Sequence, residues 1–203
     1  MTTCENHGVI TTETFGMFTL RVDDEIELNV MEDADAEAFH RMNSTDNANM
    51  RLWLPARDTE RTLEETREFI QDLREGFVEN KGLAAGIWYK GKLVGFVDAQ
   101  RIMWSHKKTE IGYWLGTSFE GKGIMTRACR AIIDYNFSEL GLNRIEIECA
   151  ADNRPSREIP ERLGFTQEGV IRQAAWLNGR FVDYVLYGLL AEEWRQINER
   201  GNE

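Results

Sequence analysis

Residues 108–126 read KTEIGYWLGTSFEGKGIMT, and the fold turns on them. Residues 109–115, rich in β-branched and aromatic side chains, read as a strand. A glycine-rich stretch follows. Then Met125, Ala128, Cys129, Ile132, Ile133, Phe137 and Leu140 recur at i, i+3, i+4, i+7 spacing, and Gly141 supplies a helix stop. The order is therefore strand, glycine loop, helix. A helix N-terminus carries free N–H groups and a positive dipole end, and glycines let backbone approach an anion closely. The same residues could equally close an ordinary turn with no ligand. Residues 116–122 also match G-x-x-x-x-G-K, most of a nucleotide-phosphate loop. Gly123 stands where that motif needs Ser or Thr to hold magnesium, which disfavours metal-nucleotide chemistry.

Outward from this core the pattern is mixed. MFTLRVDDEIELNV reads as two short strands about an acidic turn at Asp23–Asp24. EDADAEAFHRMN reads as a helix. A second helix is announced by the Thr62/Glu65 capping box and by the stripe Leu63, Phe69, Ile70, Leu73, Phe77. RLWLPARD between them reads as a loop exposing Trp53. Two strands surround Lys90–Gly91–Lys92. After the central helix, NRIEIECAA alternates as a strand, and NRPSREIPERLGF is a short helix with Asn153 as N-cap and Pro155 in its first turn. Asn178–Gly179 marks a closing hairpin, and 191–199 a final amphipathic stretch. The expectation is one mixed α/β domain over 17–200, preceded by a polar arm at 1–16.

The chain has 203 residues, 24 basic against 35 acidic, for a formal charge of −11. Such a surface repels nucleic-acid backbone and anionic lipid, and favours cationic partners. No stretch of about 18 apolar residues exists, and the N-terminus lacks the basic start and apolar core of a signal peptide. A cytoplasmic protein is expected. Cys4, Cys129 and Cys149 form no CxxC, and with His7, His40 and His106 they give no metal-ligand spacing.

From Trp88 to Leu189 four pieces occur in register: EIGYWLG, FEGKGIMT, CAADNRPSREIPERLGF and EGVIRQAAWLNGRFVDYVLYGLL. Together they resemble the GNAT superfamily of N-acetyltransferases, and within it the Rim-type branch that acetylates ribosomal-protein N-termini. The resemblance implies a mostly antiparallel central sheet, splayed in the middle and flanked by helices. It implies acetyl-CoA as the acyl donor. The family signature Q/R-x-x-G-x-G/A falls on Glu120, Gly121, Lys122, Gly123, Ile124 and Met125. Glu120 and Met125 depart from it, and a carboxylate at Glu120 sits where a pyrophosphate is expected. Gly121, Lys122, Gly123, Ile124, Met125 and Thr126 are the implied pyrophosphate contacts. Trp114, Leu115 and Gly116 are the implied backbone contacts to the pantetheine arm.

Acetyl transfer to an amine needs a neutral amine, a donor for the developing oxyanion, and a proton for the leaving thiolate, whose ordinary pKa is about 8.5. The resemblance places Ser156 near the cofactor sulfur as proton donor and Asn153 against the cofactor. On spacing alone they are a surface hydroxyl and a helix cap. Some Rim-type enzymes carry a glutamate where this chain has Ala175. Glu110 is then the candidate base, with a structural carboxylate as the competing role, and Asp183 and Tyr184 stand behind it. Cys149 shares a strand face with Ile145 and Ile147 and reads as core rather than nucleophile. The acceptor is expected to be a primary amine, a basic protein N-terminus first, or a polyamine or aminoglycoside. A non-catalytic acyl-CoA-binding module on the same fold is the other class. The loop at Trp53, the helix at 62–79 and the hairpin at 176–184 would shape the acceptor groove. A homodimer is compatible with all of this.

Overall fold

A computed structural model describes residues 18–45, 50–54 and 61–201. The arm expected at 1–16 lies outside the described residues. One eight-stranded sheet runs through the structure, in the order β1-β2-β3-β4-β5-β6-β8-β7. The strands are β1 (Thr19–Arg21), β2 (Ile26–Asn29), β3 (Leu83–Tyr89), β4 (Lys92–Met103), β5 (Lys108–Leu115), β6 (Arg144–Ala150), β7 (Thr166–Leu177) and β8 (Arg180–Leu190). The helices are α1 (Ala36–Thr45), α2 (Met50–Trp53), α3 (Leu63–Val78), α4 (Ile124–Ser138), α5 (Arg154–Leu163) and α6 (Ala191–Gly201).

Local chemistry accounts for most boundaries. The Thr62 hydroxyl accepts from the Glu65 N–H at 3.2 Å, and the Glu65 carboxylate accepts from the Thr62 N–H at 2.6 Å, which closes the capping box of α3. Asn178 and Gly179 both have positive φ, 50° and 79°, as the two-residue turn between β7 and β8 requires. RLWLPARD departs from the loop expected of it. Met50 sinks into the core at 5% exposure and its carbonyl accepts the Leu54 N–H at 2.8 Å, so Met50–Trp53 forms one helical turn with Trp53 partly buried. Residues 55–58 of that stretch lie outside the described residues.

The sheet has a core on each face. On one side Ile111, Ile124, Ile132, Ile133, Ile147 and Tyr187 join α4 and α5 to the strands. On the other, Phe39, Met42, Ile70, Phe96 and Trp114 pack α1 and α3 against β3–β5. Burying each large side chain contributes about 1.5–3 kcal/mol, so the two cores hold both helical layers to one sheet.

All neighbouring strands are antiparallel except β5 and β6. These run parallel and pair only at Lys108↔Arg144, Thr109↔Ile145 and Glu110↔Glu146. Beyond Glu110 they part. The closed end is pinned by charge: Lys108 Nζ and Arg144 Nε both donate to Glu146, at 2.9 and 2.8 Å. The splay expected in the middle of the sheet is thus a wedge that opens from Ile111 to Leu115.

Candidate active site

β4 holds the other edge of β5 along its whole length, with Gly95↔Leu115, Phe96↔Trp114 and Asp98↔Gly112 opposed. Gly116 N–H donates to the Val94 carbonyl at 2.8 Å. Backbone groups alternate sides along a strand. Trp114 and Gly112 therefore also turn their N–H and C=O toward β4, whereas Ile111, Tyr113 and Leu115 present theirs to the wedge. Of the three backbone contacts expected from the sequence, only Leu115 faces the gap. Trp114 is paired, and its ring packs on Phe39 and Phe96 with centroids 5.4 and 6.3 Å away. Gly116 spends its carbonyl on the Phe119 N–H at 2.9 Å. Tyr113 faces the gap beside Leu115, and sequence periodicity carries no sign of this because the ladder's phase sets which residues face the gap.

The glycine loop lies at the mouth of the wedge. Gly121 and Gly123 have φ of 73° and 70°, a left-handed conformation that glycine adopts without strain. Gly123 is the N-cap of α4 and offers no side-chain cap. The first N–H groups of the helix, Ile124, Met125 and Thr126, therefore have no intrahelical acceptor. The Ile124 and Met125 side chains are buried in the core, so what they can offer a ligand is backbone. Lys122 folds back: Nζ donates to the Ser118 carbonyl at 2.9 Å and lies 5.0 Å from the Phe119 ring centroid. Glu120 is exposed. An uncapped helix start beside two left-handed glycines fits an anionic diphosphate, and the unpaired edge of β5 fits an extended amide-bearing arm.

Glu110 and Ser156 lie on opposite faces of the sheet, on either side of the wedge. Glu110 shares the α1/α3 face with Trp114. Its carboxyl is partly buried and its pKa is raised, first by burial and then by the charges of Glu148 and Glu146, against Lys108. Asp98, opposite Gly112, is on the same face. Its carboxyl is pushed up to about 7, chiefly by burial, with a hydrogen bond from Gln100 opposing and the charge of Glu110 adding. A Cβ at Gly112 would come within 2.6 Å of Asp98 Oδ1, so a larger residue there would push that carboxylate aside. Nothing in the local sequence marks Asp98, which only the β4–β5 register brings beside Glu110. Tyr184 also faces Glu110 and Glu148, whose charges add to burial in raising its phenol. Asp183 is engaged elsewhere, accepting the Gln173 N–H at 2.8 Å in the irregular part of β7 next to Ala175.

On the α4/α5 face, Ser156 Oγ is 3.2 Å from Cys149 Sγ and 3.4 Å from Tyr113 Oη. Cys149 is 4% exposed and burial raises its pKa, so it is a core thiol as expected. Asn153 caps α5, its Oδ1 accepting from Ser156 N–H at 3.4 Å. Asn153→Ala is expected to destabilise the fold by about 1 kcal/mol, the usual value of an N-cap, read as a shift in a urea midpoint.

The tip of the β7–β8 hairpin touches α2. Asn178 Nδ2 donates to the carbonyls of Arg51 and Leu52, at 3.2 and 3.0 Å. Between them is a cavity of about 220 Å³ lined by Trp53, Asp152, Phe181, Val182 and Asp183 among others.

Three comparisons bear on this geometry. A model of the acetyltransferase (GNAT) domain matches residues 25–166. A putative ribosomal N-acetyltransferase of Bacillus subtilis (strain 168), YdaF, is 38% identical over 88% of this chain and 98% of its own. Among solved structures, a microcin self-immunity acetyltransferase, MccE, in complex with acetyl-CoA and AMP is 32% identical, with TM-score 0.78 over 83% of this chain and 94% of that one. The α-N-protein acetyltransferase RimL in complex with coenzyme A is 26% identical, with TM-score 0.83 over 87% of this chain and 99% of that one.

Proposed function

This chain belongs to the acetyltransferase (GNAT) family, and on that premise we propose that it transfers an acetyl group from acetyl-CoA to the α-amine of a protein N-terminus, of the ribosomal-protein type. The observation that carries the proposal is the wedge itself. It has a carboxylate on one face, a hydroxyl on the other and an anion-binding helix start at its mouth. The full-length match to YdaF supports the acceptor class.

Acetyl-CoA supplies an activated thioester. The N–H groups of Ile124, Met125 and Thr126, with the loop Gly121–Gly123, would hold its diphosphate, and the wedge edge of β5 at Tyr113 and Leu115 its arm. Asn153, at the head of α5, stands beside the same path. Glu110 takes the proton of the amine, which enters from the α1/α3 face. A protein N-terminus has a pKa of about 7.7–8.0, so a weakly basic carboxylate suffices. The wedge-facing N–H of Leu115 stabilises charge developing on the acyl oxygen. Ser156 gives a proton to the sulfur from the opposite face. Base and acid on opposite faces keep the two proton transfers apart.

A formal charge of −11 suits a basic N-terminal tail. The groove for it would run between Trp53, α3 and the β7–β8 hairpin, whose Trp176 and Phe181 are each 59% exposed. The acetyltransferase domain is proposed to span 17–200, in a cytoplasmic protein that is compatible with a homodimer. No helix among the described residues is long and apolar enough to cross a membrane.

The test is an acceptor screen with labelled acetyl-CoA. N-terminal peptides of ribosomal proteins should take up label, and the same peptides with blocked α-amines should not. Preference for spermidine or an aminoglycoside would move the acceptor to small amines. Absence of acetyl-CoA binding by calorimetry would sink the catalytic assignment with it.

A further inference from the structure

Tyr113 and Cys149 occupy equivalent places beyond the last paired residues of the wedge. Glu110 opposes Glu146, and three residues further each strand reaches one of them. Where the backbones no longer pair, these side chains meet on the α4/α5 face, Tyr113 Oη lying 3.8 Å from Cys149 Sγ. Ser156, in the first turn of α5, completes the group. The Tyr113 hydroxyl donates to the Ser156 carbonyl at 2.9 Å, which leaves its oxygen as acceptor for the Ser156 hydroxyl at 3.4 Å. Three side chains from two strands and a helix thus floor the wedge on one face.

We propose that Tyr113 is the positioning residue for Ser156: by donating to the Ser156 carbonyl it ties the first turn of α5 to β5 across the open wedge and so fixes where the Ser156 side chain stands. The proposal rests on Ser156 being the proton donor to the leaving thiolate. The Tyr113 proton goes to the Ser156 carbonyl, and the longer 3.4 Å contact to the Tyr113 oxygen is the one the Ser156 hydroxyl gives up when its proton turns to the thiolate. Tyr113 remains a phenol throughout the working pH range, since burial holds its pKa well above the ordinary value. It therefore always has the proton that anchors the helix turn. Without it, the first turn of α5 loses its tie to β5, and the Ser156 side chain is held only by the Cys149 sulfur, a weak partner. A tyrosine that merely satisfied its own buried hydroxyl would also need a hydrogen bond. It would not need two to one serine.

Tyr113→Phe keeps the ring and removes the bridge, so the fold is retained. With a good acceptor, kcat should fall about tenfold while KM for acetyl-CoA stays within about twofold, the loss of one hydrogen bond acting on the chemical step alone. The deciding measurement is a double-mutant cycle with Ser156→Ala. If Tyr113 acts through Ser156, Tyr113→Phe should cost nothing further in the Ser156→Ala background. Independent, multiplying losses would overturn the proposal, as would a raised KM at unchanged kcat. Loss of activity in Ser156→Ala with none in Tyr113→Phe overturns the positioning role and leaves Ser156 as donor. No loss in Ser156→Ala removes both.

Discussion

Glu110→Gln is expected to lower kcat by about 10²–10⁴, the usual contribution of a positioned general base, with KM for acetyl-CoA little changed. Glutamine keeps the size and hydrogen-bonding of the side chain but takes up no proton. The position favours Glu110 over every other carboxylate described. It is the last residue of β5 that pairs with β6, so its side chain stands at the apex of the wedge, on the face from which the acceptor is proposed to enter. The pH dependence follows from its environment. Burial, with the charges of Glu148 and Glu146, raises its pKa. The base works only when ionised, so kcat/KM should rise with pH through that raised value. The limb due to Glu110 should therefore lie above the ordinary carboxylate range and be lost in the variant, leaving the limb of the acceptor α-amine at about 7.7–8.0. Asp98 separates the two carboxyls. Its titration near pH 7 survives in Glu110→Gln, moved down because the neighbouring charge is gone. A variant that turned over a good acceptor at the wild-type rate would leave Glu110 a structural carboxylate.

What the sequence disclosed depends on how far apart the cooperating residues are. The Thr62/Glu65 box and the Asn178–Gly179 turn are local, so four residues or fewer decide them. The α4 stripe is nearly as local, and its buried Ile124, Ala128, Cys129, Ile132 and Ile133 recur at helical spacing. The site is not local. Tyr113, Cys149 and Ser156 meet across 36 and 43 positions of chain, and no periodicity marks such a meeting. Family resemblance is what points to Ser156, Asn153 and the glycine loop as candidates. It implies Trp114 and Gly116 as edge contacts, whereas the hydrogen bond from Gly116 to Val94 fixes the ladder's phase, turning their amides to β4 and that of Tyr113 to the gap. Asp98 was hidden for the same reason: only register sets it against Gly112. A strand's position can be read from its pattern, but the side to which each amide points is a property of its neighbour.

Gly123→Val is expected to weaken acetyl-CoA binding by about a hundredfold, measured by calorimetry, for reasons the geometry separates. A Cβ at Gly123 meets nothing within 4 Å, so crowding inside the protein is excluded. The difficulty is conformational. Gly123 is at φ 70°, ψ 6°, where an L residue costs about 1–2 kcal/mol and a β-branched one more. Either valine holds that strained conformation and projects a branched side chain over the N–H groups of Ile124, Met125 and Thr126, or the loop changes shape and those groups lose their common aim. Both outcomes remove the anion site, since about 1.4 kcal/mol is already tenfold in affinity. Gly123→Asn distinguishes them. Asparagine tolerates the left-handed region, so its loss of affinity measures side-chain obstruction alone and should be smaller than that of valine. The strain itself should lower Tm by only a few degrees, about 2–4 °C per kcal/mol for a chain of this size, which leaves the fold intact for the binding measurement. Wild-type affinity in Gly123→Val would refute the helix start as the diphosphate site.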